Sequence, residues 1–216
     1  MIEPYYLDDS VTIYHGDCKE ILPGLLFDVV VTDPPYGIDV VKNGKIGTND
    51  LAKARVYREV VGDTEKLDPT WLAGFGNSQV IFGVSHFVKI PHSGQLLVWD
   101  KRFKEKESSN GLFAEVEIAW HSKKAPSKII KHQQQGFVAN LGDIGRYHPT
   151  QKPLAVMHWL VKNCSNLEDV IVDPYMGTGT TLRAAKDLGR KAIGIEIDEQ
   201  YCEIAVKRLA QEVLFA

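Results

Sequence analysis

Two apolar runs constrain this chain more than any other feature. Val29-Val30-Val31-Thr32 and Val170-Ile171-Val172 are continuous and mostly β-branched, and each is closed by an Asp-Pro pair, Asp33-Pro34 and Asp173-Pro174. A strand that is apolar on both faces is buried on both faces, as in a parallel sheet covered by helices. Further strands are expected at 11–14, 79–82, 95–99, 115–120 and 192–195. Helical patterns run over 17–22, capped by Asp17 and stopped by Pro23-Gly24, over 154–164, over 180–188 up to Gly189, and from the cap Asp198 toward Leu214. The alternation predicts an α/β fold, a mostly parallel, doubly wound sheet. Residues 1–216 read as one domain. Residues 41–70 form a loop or small helical insertion in it, and 122–147 is a segment without clear periodicity.

In open α/β sheets, ligands sit beyond the carboxyl ends of strands. Asp173-Pro174-Tyr175-Met176-Gly177-Thr178-Gly179-Thr180-Thr181 follows one buried run and opens a helix. Its glycines permit a tight turn and close backbone approach, and free N–H groups at the helix start favour an anionic group. Glu196, at the end of the next strand, can accept hydrogen bonds from both hydroxyls of a ribose. The combination points to a nucleoside-bearing cofactor. Asp33-Pro34-Pro35-Tyr36-Gly37 follows the other run. Its two prolines remove two N–H donors and fix two φ angles, so the local carbonyls stand as acceptors. With the Asp33 carboxylate and the flat Tyr36 ring, the corner suits a planar group bearing an NH₂.

Charge and composition exclude some classes. The net charge of −3 disfavours a pure nucleic-acid-binding module, whose affinity comes mainly from phosphate contacts. Between Lys101 and His132, however, eight Lys/Arg stand against four acids, a local excess of +4 that suits a polyanion. Three cysteines with no C-x-x-C pair argue against a disulfide framework and a thiolate zinc site, so no metal is expected. No apolar run approaches the roughly 18 residues needed to span a bilayer, and Met1-Ile2-Glu3-Pro4 has no secretory character. A reducing, cytoplasmic setting is the expectation, with no membrane partner.

Asp33-Pro34-Pro35-Tyr36 together with the downstream Asp173–Thr181 segment resembles the amino-methylating DNA methyltransferases, which act on adenine N6 or cytosine N4. The tetrapeptide precedes the glycine loop, as in the circularly permuted beta class. His148-Pro149-Thr150-Gln151-Lys152-Pro153 resembles that class's tenth motif, and Gly16-Asp17 its third. Trp99-Asp100-Lys101 and Glu117-Ile118-Ala119-Trp120 resemble segments of short, phage-type members.

The resemblance implies a Rossmann-like, seven-stranded sheet ending in an antiparallel hairpin, S-adenosylmethionine as cofactor and DNA as partner. Tyr175, Gly177, Thr178 and Gly179 would line the methionine part, with Thr150 and Lys152, and Asp173 and Thr180 belong to the same loop. Glu196 would hold the ribose, and Asp17 and Cys18 would lie near the adenine. Asp33, Pro34, Pro35 and Tyr36 would hold the target base, with Asp33 also beside the cofactor. An amine with its lone pair delocalised into a ring is a poor nucleophile, and hydrogen bonds from both its N–H groups to Asp33 and the Pro34 carbonyl would free that lone pair. The base must be flipped out of a duplex or come from a single strand. Trp120 or Phe137 could cover its second face. Asp at the first tetrapeptide position implies adenine; N4-cytosine methylation and a catalytically silent DNA-binding subunit remain alternatives.

The segment 122–147 is short for a recognition region. Lys123, Lys124 and Lys128 within it, and Lys42 and Lys45 in the 41–70 insertion, are candidate DNA contacts. So small a region suggests a short recognition sequence, a homodimer or a partner that supplies contacts.

Overall fold

The computed structural model describes residues 2–41, 59–65, 68–87, 89, 93–102, 114–135, 138–139, 148 and 150–210. Eleven strands occur among them: β1 (Tyr6–Leu7), β2 (Val11–His15), β3 (Val29–Thr32), β4 (Ser78–Phe82), β5 (Gln95–Asp100), β6 (Val116–His121), β7 (Lys128–Lys131), β8 (Gln134–Gln135), β9 (Val138–Ala139), β10 (Val170–Asp173) and β11 (Lys191–Glu196). The helices are α1 (Cys18–Ile21), α2 (Leu154–Cys164), α3 (Thr180–Asp187) and α4 (Glu199–Leu209), with 3-10 turns at Leu22–Gly24 and Pro69–Gly74.

Nine strands form one sheet in the order β1-β2-β11-β10-β3-β4-β6-β5-β7, and β8 pairs with β9 separately. From β2 to β4 neighbouring strands run parallel. β6 is antiparallel to both β4 and β5. The seven strands from β2 to β5 are therefore the expected sheet with its reversed hairpin. The two-residue β1 and the Lys128–Lys131 strand at the opposite edge extend it, and neither was expected. β7 falls in the segment read as lacking periodicity, because its pattern Lys-Ile-Ile-Lys is too short to show one.

Packing explains the continuous apolar runs. Val29, Val31, Val80, Phe82, Leu97 and Ile171 face one layer with Met157, Leu160 and Leu182 of α2 and α3. Val30, Ile81, Val172 and Ile195 face the other, against Cys18, Ile21, Leu22 and Leu72. Alternate residues of one run thus enter opposite cores. Helix ends follow the local chemistry. Asp17 and Asp198 cap α1 and α4 by accepting from the backbone N–H of Lys19 and Gln200, both at 2.9 Å. α3 stops before Gly189, whose φ of 69° lies in the left-handed region. α4 spans Glu199–Leu209, and the part of its expected span beyond Ala210 lies outside the described residues. Among the described residues, no helix is long and apolar enough to cross a membrane, and no group of three or more His, Cys, Asp or Glu could hold a metal ion.

The register puts His15, Glu196, Asp173, Thr32 and Phe82 at the carboxyl edge of the parallel strands. β6 runs backwards, so its first residues, Val116 and Glu117, share that edge, while His121 lies at the far edge opposite Val80 and Gln95.

Candidate active site

Asp173 ends β10 and braces the glycine loop. Its carboxylate accepts from the hydroxyls of Thr32 (2.7 Å) and Thr181 (2.5 Å) and from the Tyr175 N–H (3.1 Å), which ties β3 to α3. Burial pushes the Asp173 carboxyl up to about 6. Gly177 (φ 52°) and Gly179 (φ 75°) take left-handed conformations, and a Cβ on Gly179 would stand 3.0 Å from that of Ala205 on α4. Glu196 closes the loop from the neighbouring strand, accepting from the Gly177 and Asp198 N–H groups, each at 2.9 Å. The Gly177 N–H is therefore already satisfied. Burial pushes Glu196 up to about 6. Arg208 of α4 grips the same loop, donating to the carbonyl of Thr178 and, at 2.8 Å, to its hydroxyl.

The tetrapeptide follows β3 at the same edge. The Tyr36 hydroxyl donates to Oδ1 of Asp33, and the Lys152 ammonium donates to Oδ2. Lys152 also lies 3.1 Å from Oε2 of Glu117, whose Oε1 is paired with Lys101 at 2.7 Å. Two acids and two amines thus alternate, and the four-residue array is neutral. Burial raises the Asp33 carboxyl while Lys152 pulls it down. Burial likewise works against the Lys152 ammonium, but Asp33 and Glu117 outweigh it and hold the amine above its usual range. Glu117 feels burial too, yet Lys152 and Lys101 hold it down at about 2. The Tyr36 ring stacks on His86, with centroids 4.8 Å apart and planes 9° apart, and its hydroxyl is pushed well above its ordinary range by burial and by Asp33.

These two strand ends open on one cavity of about 310 Å³. Asp33, Pro34, Pro35, Tyr36, Asp17, Cys18, Thr150, Lys152, Asp173, Tyr175, Gly177, Thr178, Thr180 and Glu196 all line it; Gly179 does not, and serves the turn behind it. Burial pushes the Cys18 thiol up to about 11, so it is no thiolate nucleophile at neutral pH.

The candidate DNA contacts fare differently. Trp120 is 6% exposed, sits in the core with Ile81 and Val84, and donates its indole N–H to the Ser93 carbonyl at 2.9 Å. It is a core residue and does not cover a base in the cavity. Lys123 and Lys124 are exposed, but they follow His121 at the far edge of the sheet, away from the cavity. The reversed direction of β6 takes them there. Lys128 is exposed and turns toward Asn163 at the end of α2, 3.2 Å away. Lys42, Lys45 and Phe137 lie outside the described residues.

Four residues at the site escaped the sequence-based expectations as site residues. Asp63 accepts N–H groups from Tyr36, Gly37 and Ile38 on one oxygen and from Val40 on the other. His86 stacks on Tyr36, Glu117 holds Lys152, and Arg208 holds the glycine loop. Only Glu117, an acid within a mostly apolar strand, carries a local signal.

Comparison with known proteins agrees with this arrangement. A family model described as DNA methylase, that of the N6/N4 methyltransferases, matches residues 93–207. The match spans more than half of the chain, and the protein belongs to this family of DNA methyltransferases. It is similar to the Type II methyltransferase M.ScaI of Streptomyces caespitosus, 27% identical over 272 residues, which cover 97% of this chain and 84% of that protein. Among solved structures, the M1.HpyAVI–SAM complex aligns with a TM-score of 0.56 and 26% identity, over 92% of this chain and all of that one. The cytosine-N4-specific PvuII DNA methyltransferase shares the fold, with a TM-score of 0.62 over 99% of this chain and 91% of that one, at 16% identity.

Proposed function

We propose that the protein methylates the exocyclic amine of a base flipped out of DNA, adenine N6, with S-adenosylmethionine as cofactor. The observation that carries this is the shared cavity: the glycine loop with Glu196 forms one wall, and Asp33–Tyr36 forms another. Its volume suits a small-molecule site, which typically holds about 300–1,000 Å³. The donor set suits this cofactor as well. Asp17, Glu196 and Asp198 line the cavity as acceptors for hydroxyl and amino groups, and the carboxylates suit a cation. A relative solved as a SAM complex supports the same assignment.

When bound, S-adenosylmethionine supplies a sulfonium methyl that an amine attacks directly, leaving a neutral thioether. Glu196 would hold the ribose, with Asp17 and Cys18 toward the adenine. Tyr175, Gly177 and Thr178, with Thr150 and Lys152, would line the methionine part, and Asp173 and Gly179 would shape the loop behind. Asp33 and the Pro34 carbonyl would accept the two amine hydrogens and stabilise the positive charge growing on nitrogen. The Asp33 carboxylate would then take the proton that the methylated amine loses. No covalent enzyme intermediate is required, consistent with the high thiol pKa of Cys18. We read residues 1–216 as one methyltransferase domain, with its motifs in the permuted order of the beta class.

Incubation with methyl-labelled cofactor and unmethylated DNA, followed by nucleoside analysis, tests the assignment. Label in N6-methyladenine is the expected result. Label in N4-methylcytosine would transfer the assignment to the other base. Normal cofactor binding with no label in DNA would make the protein a silent subunit. Asp33→Ala should keep cofactor affinity within a few fold and lose most turnover; equal losses of both would make Asp33 structural.

A further inference from the structure

The Asp33 carboxylate is already engaged on both oxygens, by the Tyr36 hydroxyl on Oδ1 and the Lys152 ammonium on Oδ2. The target amine must claim one of them. Sharing Oδ2 would leave an ammonium beside a nitrogen that gains positive charge as it is methylated, and like charges a few ångströms apart in a buried site repel strongly. One donor therefore has to leave. Tyr36 is fixed: its ring lies on His86, its backbone N–H is held by Asp63 at 3.0 Å, and Gly83 packs against its edge. Lys152 has an alternative. Oε2 of Glu117 lies 3.1 Å from its nitrogen, is buried, and accepts no hydrogen bond among the described residues. Lys101 on Oε1 leaves that second oxygen to Lys152.

We propose that Glu117 is a positioning residue: it receives the Lys152 ammonium when the target amine claims Asp33, so the acceptor is vacated without leaving a buried charge unpaired. The inference rests on the methyl-transfer reading above. Without Glu117, Asp33 would be the one carboxylate left to Lys152 among the described residues, and the amine would have to break that pair outright.

Glu117→Gln keeps the shape and removes the charge, while Glu117→Asp keeps the charge. Single-turnover methylation of unmethylated bacterial DNA should slow on the order of tenfold to a hundredfold in Glu117→Gln. Cofactor affinity should stay within about twofold, and Glu117→Asp should recover part of the rate. Lys152→Met and the double variant Glu117→Gln/Lys152→Met should have the same rate as each other, because Glu117 acts through Lys152. A readout free of activity is the NMR titration of Lys152 in ligand-free protein, which should move to lower pH in Glu117→Gln. A Glu117→Gln rate within about twofold of wild type, losses that multiply in the double variant, or an unmoved Lys152 titration overturns the inference alone. A wild-type protein that puts no label into DNA overturns the methyl-transfer reading, and this inference with it.

Discussion

Asp63 offers the sharpest test of how the catalytic corner is held. It is 4% exposed, and its Oδ1 accepts N–H groups from Tyr36 (3.0 Å), Gly37 (2.9 Å) and Ile38 (3.3 Å), while Oδ2 accepts from Val40 (2.8 Å). Asp63→Ala removes both acceptor oxygens and leaves four N–H donors without their partner. An orphaned buried donor costs roughly 1–3 kcal/mol, and the exposed Ile38 can turn to water, so three donors at the low end give about 3 kcal/mol. At about 2–4 °C per kcal/mol for a chain of this size, the melting temperature should fall by roughly 10 °C. Asp63→Asn keeps Oδ1 but sets its NH₂ against the Val40 N–H, and should cost about half as much. Turnover should fall with the loss of the Tyr36 anchor, whereas cofactor affinity should hold, because the Asp63 carboxylate accepts from residues 36–40 and braces that segment, not the glycine loop. Circular dichroism melts, single-turnover methylation and cofactor titration measure these three quantities. An Asp63→Ala protein that melts within about 2 °C of wild type and keeps its rate would refute the argument.

Gly83→Ala should lower turnover with little change in cofactor affinity, since Gly83 has φ 83° and any Cβ there would run into the Tyr36 ring; an unaltered rate would mean that the ring is free to shift. Glu196, at about 6, accepts well only when ionised, so cofactor affinity should drop as the pH falls through about 6, and Glu196→Gln should be weaker at pH 7 and flat with pH. The same raised carboxyl has the opposite sign for the ligand-free fold. Its stabilisation is complete below the ordinary value of 4.5 and is lost as pH rises through about 6, so wild type should gain melting temperature over Glu196→Gln between pH 7 and pH 5. Lys123→Ala with Lys124→Ala should leave DNA affinity and its salt slope unchanged, since both residues follow the far edge of the sheet; a flattened slope in a filter-binding assay would put DNA across that edge.

Much of the fold was legible because buried parallel strands are dense in information. The Val29–Val31 and Ile171–Val172 runs feed two cores at once, so polar residues are excluded from them and Thr32 and Asp173 mark sharp ends. α2 matches its expected span, Leu154–Cys164, because Pro153 sets the start and the apolar face has helical spacing. The edge strands were not legible. β1 has two residues and β7 four, and an edge strand held by one neighbour places little demand on its side chains.

The site divides along the same physical line. Motif residues whose backbone geometry carries the function can be read in one dimension, since Gly177 must reach a left-handed φ and Pro34 and Pro35 must lack N–H groups. Residues that act by meeting another segment cannot. Asp63 binds backbone 23 to 27 positions away, and Lys152 reaches Asp33 across 119. Direction matters as much as distance. Lys123 and Glu117 are six positions apart on one strand and its extension, yet β6 runs against its neighbours, so Glu117 joins the cavity edge and Lys123 leaves it. A basic cluster counted along the chain therefore splits in space. One of its acids, Glu117, is drawn in as the partner of Lys101 and Lys152, and two of its lysines are carried to the opposite end of the sheet. A charge count alone could not locate the DNA-facing surface here, because the sign of that surface depends on which end of a reversed strand each residue occupies.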